Sequence, residues 1–405
     1  MAKYKAVNAF IFAGSFSIGV MDAGFDLRAV LEMTDDMLEK NAFYFHKNYP
    51  KIPIVLPKDW ENDDFLAKLK AKDIDLMCCN CPCSSLSRVN RYAKFTKEKN
   101  NVHFYRLFNV FKKMQPKVFA IENAPTLIKM GFPILKDMTE ELKDIYRFTI
   151  VRDMAGNHNV PMRRMRTIVI GWRKDVFKET PIIDPDKHKQ MSIKEALQDV
   201  YTMTLDDECP WEVVPIKPLL KYSIPNLGLL ASLATRWNRG EQDCIDDCKK
   251  YLPGTVFDKT IFPNMCKKLA AGEGYWDKSP KRMPEDKPYP SFSGPQQYLH
   301  PVQDRCLNSF ELKRLMGYPD GFDVDDPDKQ CKVERRVALA QGVPVNFGKY
   351  VATQIKNCLD GVKRSSPAEV VFQNNCNETY QEFKTYADFE ALTEIDSDKK
   401  GIKIN

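Results

Sequence analysis

Four cysteines fall within six positions of this chain. Cys78, Cys79, Cys81 and Cys83 lie in Met77-Cys78-Cys79-Asn80-Cys81-Pro82-Cys83-Ser84-Ser85-Leu86-Ser87, directly after the strand-like run Ile74-Asp75-Leu76. A second strand-like run, Val118-Phe119-Ala120-Ile121, leads into Glu122-Asn123. A strand ending in a cysteine, beside another ending in a carboxylate, would put both groups at one edge of a sheet. Such a pair suits nucleophilic addition to a pyrimidine: the thiolate attacks a ring carbon while the carboxyl group shares a proton with the ring nitrogen. The rival use of the cysteines is zinc. Adjacent cysteines on a strand point to opposite faces, so the four do not readily converge on one ion. Cys244 and Cys248 with Cys209 or Cys266 are better spaced, but they lack paired C-x2-C knuckles, and no metal is expected. Core packing is the expected role of Cys78 or Cys79.

Three further groups could bind rather than react. Phe12-Ala13-Gly14-Ser15-Phe16-Ser17-Ile18-Gly19 reads as a strand-to-helix turn. Glycine there lets backbone approach a ligand, and a helix N-terminus favours a carboxylate or phosphate. With Phe16 directly after Ser15, Gly19 or the Ser15 and Ser17 hydroxyls are expected to supply the close contacts. Glu32 ends the next strand and could accept hydrogen bonds from a ribose diol, and Asp59 follows the third and could accept one from an adenine amino group. Each alone is commonplace; in order on successive strands they indicate a cofactor that contains a nucleoside. In Asn159-Val160-Pro161-Met162-Arg163-Arg164-Met165-Arg166, Arg164 and Arg166 would share one face of an extended segment. A planar guanidinium there could donate to a carbonyl or phosphate, although a solvated basic patch reads the same way.

These residues need a scaffold that gathers them. Strands are expected at Tyr4 to Phe12, Leu27 to Glu32, Ile52 to Leu56, Ile74 to Cys79, Val118 to Glu122 and Thr167 to Gly171. Helices are expected from Ser15 to Asp22, Asp35 to His46 and Val102 to Met114, the last from the helical spacing of Phe104, Leu107, Phe108 and Phe111. Strands alternating with helices call for an α/β fold with a doubly wound, mostly parallel sheet, whose ligands sit beyond the carboxyl ends of the strands. The alternation dissolves after Arg173. Residues 176–295 are rich in Pro, Asp and Lys and read as an irregular second domain. Helical patterning returns at Leu312 to Met316, Arg335 to Ala340 and Phe347 to Leu359. From Val362 the chain is polar and acidic, and residues 362–405 are expected to form a peripheral appendage.

The net charge of +6 permits nucleic acid without demanding it. Residues 176–300 carry a net −1 and residues 363–405 a net −2, so +9 falls on the remainder, where a grip on phosphates is expected. No run of about eighteen uncharged apolar residues appears, which argues against a membrane span. Twelve irregularly spaced cysteines and an N-terminus without a signal-peptide core fit a reducing, cytoplasmic setting.

In order and spacing these elements resemble the DNA (cytosine-5) methyltransferase family, over residues 4–175 and again over 296–358. Phe12-Ala13-Gly14 is similar to that family's first motif. Pro82-Cys83 with Ser87 resembles its Pro-Cys-Gln-x-x-Ser loop, Glu122-Asn123 its Glu-Asn-Val, and Pro161 to Arg166 its Pro-Gln-x-Arg-x-Arg. Arg305-Cys306-Leu307-Asn308-Ser309-Phe310-Glu311-Leu312-Lys313-Arg314-Leu315-Met316-Gly317-Tyr318-Pro319-Asp320-Gly321-Phe322 resembles the ninth motif and Gln341-Gly342-Val343-Pro344 the tenth. The chain departs from the pattern in lacking two glycines after Ser15, and in having Ser84, Met162 and Ala340-Gln341 where the family has Gln, Gln and Gly-Asn.

The resemblance implies S-adenosylmethionine as methyl donor, with Phe12, Gly14, Glu32, Asp59, Pro82 and Gln341 around it. It implies that Cys83 adds to C6 of a cytosine flipped out of double-stranded DNA, which exposes the face of the base. Glu122 then holds N3 and the exocyclic amine, Arg166 approaches O2, and Asn123 and Arg164 brace the loop. Residues 1–175 and 296–361 become the catalytic domain and 176–295 a target-recognition domain, with Ser87, Arg236 and Arg239 as expected DNA contacts. A monomer, with a restriction endonuclease as partner, completes the reading. A tRNA cytosine-5 methyltransferase and a catalytically silent DNA-binding relative are the alternatives; intact Cys83, Glu122 and Arg166 argue against silence.

Overall fold

The computed structural model describes residues 4–32, 42–55, 62–71, 73–82, 86, 101–198, 281–292, 298–302, 307–324 and 338–404. In chain order the first half forms β1 (Tyr4–Ala9), α1 (Ser15–Asp22), β2 (Phe25–Leu31), α2 (Phe43–Asn48), β3 (Ile54–Val55), α3 (Asp63–Ala71), β4 (Leu76–Asn80), α4 (Val102–Met114), β5 (Val118–Asn123), α5 (Phe132–Leu142), β6 (Tyr146–Met154) and β7 (Met165–Arg173). The remainder adds β8 (Thr180–Pro181), α6 (Ile193–Leu197), β9 (Lys281–Arg282), β10 (Tyr298–Leu299), α7 (Ser309–Leu315), α8 (Val345–Asp360), β11 (Ser365–Ser366), β12 (Val370–Asn374), β13 (Thr379–Phe383), α9 (Tyr386–Glu390) and β14 (Ile402–Lys403). Among the described residues no helix is long and apolar enough to cross a membrane.

The main sheet runs β14-β13-β12-β6-β7-β5-β4-β1-β2-β3. Strands β3, β2, β1, β4 and β5 are parallel, and β7 lies antiparallel between β5 and β6. Every residue of β4 and β5 is buried, as expected for central strands covered on both faces. The two faces carry separate apolar clusters: α1 and α8 pack on one, with Phe16 and Phe347, and α4 and α5 on the other, with Phe104, Phe108 and Leu135. Alternation along β4 sends Cys78 into the first cluster and Cys79 into the second. Helix α4 follows its expected limits. Phe111 on its buried face stacks on Phe119 of β5, ring centroids 4.0 Å apart, and the helix stops where Gln115 turns left-handed (φ 49°) before Pro116.

Residues 362–405 are not a peripheral appendage. Strand β12 is buried along its whole length and pairs in parallel with β6, Phe372 opposite Ile150, and β13 and β14 continue the sheet outward. The acidic composition of the segment hid a five-residue buried strand, Val-Val-Phe-Gln-Asn. The ends of the expected second domain also belong to the main body. Strand β8 pairs with β11, Phe177, Ile183, Ile193, Met283, Tyr289 and Phe292 join the first apolar cluster, and Ile183 N–H donates to Gln373 Oε1 at 2.9 Å. The limits at 176 and 295 therefore move inward; residues 199–280 lie outside the described residues.

Candidate active site

Register places the chemistry-bearing loops side by side. Leu31, Ala9, Cys79 and Ile121 stand opposite one another across β2, β1, β4 and β5. The segment after β1, the segment after β4 and the end of β5 consequently leave the sheet at one edge, the carboxyl edge where ligands of such sheets bind. Antiparallel β7 begins at that same edge, with Thr167 opposite Asn123.

Glu122 is the centre of the described site. It lies opposite Asn80 in the β4–β5 register and is 8 % exposed. Its Oε1 faces Arg166 Nε at 2.5 Å, and its Oε2 accepts from Asn80 Nδ2 at 3.3 Å. Arg166 also donates from a terminal nitrogen to its neighbour's carbonyl, Met165 O, at 2.8 Å. A carboxylate held on one oxygen by a guanidinium and on the other by an amide keeps a fixed plane, which suits it to meet two adjacent groups of a planar base. Asn80 was passed over in the sequence because it sits inside the cysteine run; the pairing of the two strand ends was the signal that would have found it.

The segment carrying the expected nucleophile is tied at both ends. Asn123 Nδ2 donates to Cys81 O at 3.0 Å while its Oδ1 accepts from Ala124 N–H at 2.8 Å, and the Thr126 hydroxyl donates to Leu86 O. Between these ties lie Pro82, which is half-buried, and Cys83, which is outside the described residues. Asp59, Ser87, Arg236 and Arg239 lie outside them as well. Burial pushes the Cys78 and Cys79 thiols well above their ordinary range, and both have no exposed surface. Neither is a nucleophile.

The turn after β1 is strained in a way that shapes a binding surface. Phe10 and Phe12 both adopt left-handed backbone angles (φ 59° and 50°), which bulky residues rarely do outside functional turns. Phe12 is half-buried amid buried neighbours. Gly14 caps α1 at φ 92°, and a Cβ there would stand 2.1 Å from the Phe45 ring. No side chain caps α1, so its first N–H groups remain for a ligand or solvent. Ser15 Oγ and the Tyr318 hydroxyl are buried next to each other and have only each other's residue as a hydrogen-bonding neighbour among the described residues. Burial raises the Tyr318 hydroxyl above its ordinary range, and Ser15 and the Arg164 charge oppose that rise. Two buried hydroxyls with spare hydrogen-bonding capacity beside an uncapped helix N-terminus fit a carboxylate-bearing ligand. Arg164 Nη1 and Nη2 donate to the carbonyls of Ala340 and Gln341 at 2.9 and 3.0 Å, which brings the Gln341 segment to the same side.

A family profile for C-5 cytosine-specific DNA methylases matches residues 4–357. The chain belongs to that family. Family and fold imply S-adenosylmethionine-dependent catalysis for this DNA cytosine methyltransferase, and its fold is the Rossmann-like one expected. Relatives include the type II methyltransferase M.XorII of Xanthomonas oryzae, 25% identical over 360 residues, covering 80% of this chain and 78% of that protein. M.Sau96I of Staphylococcus aureus is 23% identical over 368 residues, with 88% and 76% covered. Among solved structures, a candidate DNA modification methyltransferase encoded within an Escherichia coli prophage superposes with a TM-score of 0.59 at 18% identity, covering 88% of this chain and all of that one. Spodoptera frugiperda DNMT2 gives 0.50 at 12%, covering 87% and 100%.

Two residues expected at the cofactor turn of this methyltransferase, Gly19 and Ser17, have partners within the fold. A Cβ on Gly19 would meet Lys349 N, Val345 O and Gly348 C at 2.5–2.8 Å. Gly19 therefore seats α1 against the backbone of α8. Ser17 Oγ accepts from Asn8 Nδ2 at 2.7 Å, inside the fold. Glu32 directly follows β2 but has no exposed surface, and its Oε1 accepts from Ile11 N–H at 2.7 Å, so it also pins the strained turn.

Proposed function

We propose that this methyltransferase modifies C5 of a cytosine flipped out of double-stranded DNA through a covalent adduct with Cys83. The observation that carries this is the Glu122 carboxylate held between Arg166 and Asn80 at the carboxyl edge of β5, one strand from the tied loop that bears Pro82 and Cys83. Glu122 binds N3 and the exocyclic amine of the base, and sharing its proton with N3 makes C6 electrophilic. The Cys83 thiolate forms a bond to C6, and C5 becomes the nucleophile. S-adenosylmethionine, when bound, supplies the electrophilic methyl group. Loss of the C5 proton then expels Cys83 and restores the ring.

Arg166 orients Glu122 and reaches toward the O2 carbonyl, while Asn123 and Thr126 hold the nucleophile loop. Phe12 lies against the adenosine, Gly14, Ser15 and Tyr318 receive the methionine carboxylate, and Glu32 is the residue at the ribose. Asp59 and Pro82 close the adenine side, and Gln341, whose carbonyl Arg164 holds, closes the other. The chain between the described ends of the insert serves as the target-recognition domain, with Arg236 and Arg239 on DNA and Ser87 beside the flipped nucleotide. The type II methyltransferase relatives support protection of DNA from a cognate endonuclease, and the enzyme acts as a monomer in this reading.

Duplex DNA carrying 5-fluorocytosine tests the chemistry, because the fluorine cannot leave as a proton and elimination stalls. A denaturant-resistant complex that requires cofactor and is abolished by Cys83→Ser is expected. Trapping that survives the loss of Cys83, or methyl transfer to tRNA and not to duplex DNA, refutes the proposal.

A further inference from the structure

A buried polar cluster around one carboxylate lies behind the arginine segment and takes no part in the site described above. Asp153, next to last in β6, stands opposite Arg166 in the β6–β7 register and is 1 % exposed. Its Oδ2 meets His158 Nε2 at 3.0 Å and accepts from Asn375 Nδ2 at 2.9 Å, and its Oδ1 accepts from Met154 N–H at 2.6 Å. His158 stacks on Tyr350 of α8, centroids 3.7 Å apart, and the Tyr350 hydroxyl accepts from Asn375 at 3.1 Å and donates to Asp184 O at 2.7 Å. A buried carboxylate is unfavourable unless its oxygens are satisfied, so this one ties its donors to one point. Those donors come from three places: the end of β6, the turn that follows it, and the loop after β12.

That turn is the only covalent support of the arginine pair on its N-terminal side. The chain leaves β6, passes Ala155 to Asn157 and His158, and reverses at Asn159 in the left-handed region (φ 55°). It then returns through Pro161 to Arg164 and Arg166. Ala155 N–H donates to Arg164 O at 2.9 Å, and Asn346 Nδ2 donates to Asn159 O at 2.9 Å. Segments with so little regular structure are where proteins open first. The Arg166 guanidinium must nevertheless keep its 2.5 Å contact with Glu122.

We propose that Asp153, His158 and Asn375 are positioning residues for methyl transfer, acting through Arg164 and Arg166. By this inference the C-terminal strands, through Asn375, belong to the catalytic assembly. It rests on the proposed reaction only for its activity readout.

The test uses the full chain and three variants. His158→Leu and Asn375→Ala each remove a donor to Asp153, and His158→Gln keeps an amide donor near the place of Nε2. The Arg166 Nε–H signal, identified in nitrogen-15 spectra with Arg166→Lys, reports the contact with Glu122 without any turnover. Its solvent exchange should accelerate at least about tenfold in the first two variants. Single-turnover methyl transfer at saturating cofactor and DNA should fall on the order of a hundredfold, the scale of a small misplacement transmitted to a reacting centre. His158→Gln should retain most of both.

Variants that melt at lower temperature but keep wild-type Arg166 exchange and wild-type transfer per folded molecule overturn the inference, since that pattern marks structural support alone. Where His158→Leu does not fold, Asn375→Ala decides by the same two readouts. A wild-type protein with a protected Arg166 signal and no cytosine methylation would defeat the proposed function and leave this inference to the exchange measurement.

Discussion

Gly19→Ala separates two roles for one glycine. The added methyl would stand 2.5 Å from Lys349 N, 2.6 Å from Val345 O and 2.8 Å from Gly348 C, all backbone atoms of α8 that cannot rotate away. Helices α1 and α8 must then part, and overpacking of this kind costs about 3 kcal/mol, at the upper end of the usual range. Alanine recovers about 1 kcal/mol of helix propensity, leaving a net loss of about 2 kcal/mol. With an unfolding entropy near 2.1 cal/mol/K per residue over roughly 300 cooperative residues, the melting temperature should drop about 3 °C. Scanning calorimetry with and without S-adenosylmethionine reads both roles. At a hundredfold excess over Kd the cofactor adds about 2.7 kcal/mol to any protein whose site is intact. The increment should be the same in wild type and variant. An unchanged melting temperature without cofactor, together with a lost increment, would refute the packing argument and return Gly19 to the ligand.

Gly14→Ala should do the reverse in degree: its left-handed φ of 92° and the Phe45 ring at 2.1 Å disturb the cofactor turn itself, so the cofactor increment should shrink in calorimetry. Iodoacetamide applied to the native protein up to pH 10 should leave Cys78 and Cys79 unmodified, because burial keeps both thiols protonated and inaccessible, and peptide mapping should find them labelled only after denaturation. A chain ending at Gly361 should be insoluble or molten, since it strips β12 from β6 and takes Val370 and Phe372 out of the apolar cluster that holds Phe148 and Ile150; a folded truncation that binds cofactor normally would show the C-terminal strands to be dispensable. Arg164→Ala should weaken cofactor binding more than it slows transfer, because the carbonyls it leaves unpaired are those of Ala340 and Gln341.

The parts of the site that depend on neighbouring strand ends were legible in the sequence. Two apolar runs, one ending in the cysteines at Cys79 and one at Glu122, imply a common edge, and alternation along Cys78-Cys79 implies two faces, because both follow from the two-residue period of a strand. Helix α4 was legible for a related reason, its apolar residues recurring every three or four positions. Partners distant in sequence were not legible. Gly19 looks like any turn glycine until α8 lies across it, and Ser17 looks like a ligand hydroxyl until Asn8 takes it. Strand β12 has only five residues, and its burial comes from β6, more than two hundred positions earlier in the chain. Tyr318 and Ser15 carry no local pattern that would bring their hydroxyls together.

The packing of α1 on α8 also has a consequence in time. Phe16 meets the Cα side of Gly348, and Gly19 meets the backbone around it, so the first helix is covered by almost the last one. About 330 residues separate the two, which at 5–20 residues per second leaves the apolar face of α1 uncovered for roughly 15 to 65 s during synthesis. Over that interval the nascent chain holds the strained turn after β1 without the helix that seats it. A ribosome-bound methyltransferase therefore has no finished cofactor turn, and newly made enzyme reaches the cell's DNA only after its C-terminal sixth has emerged and folded.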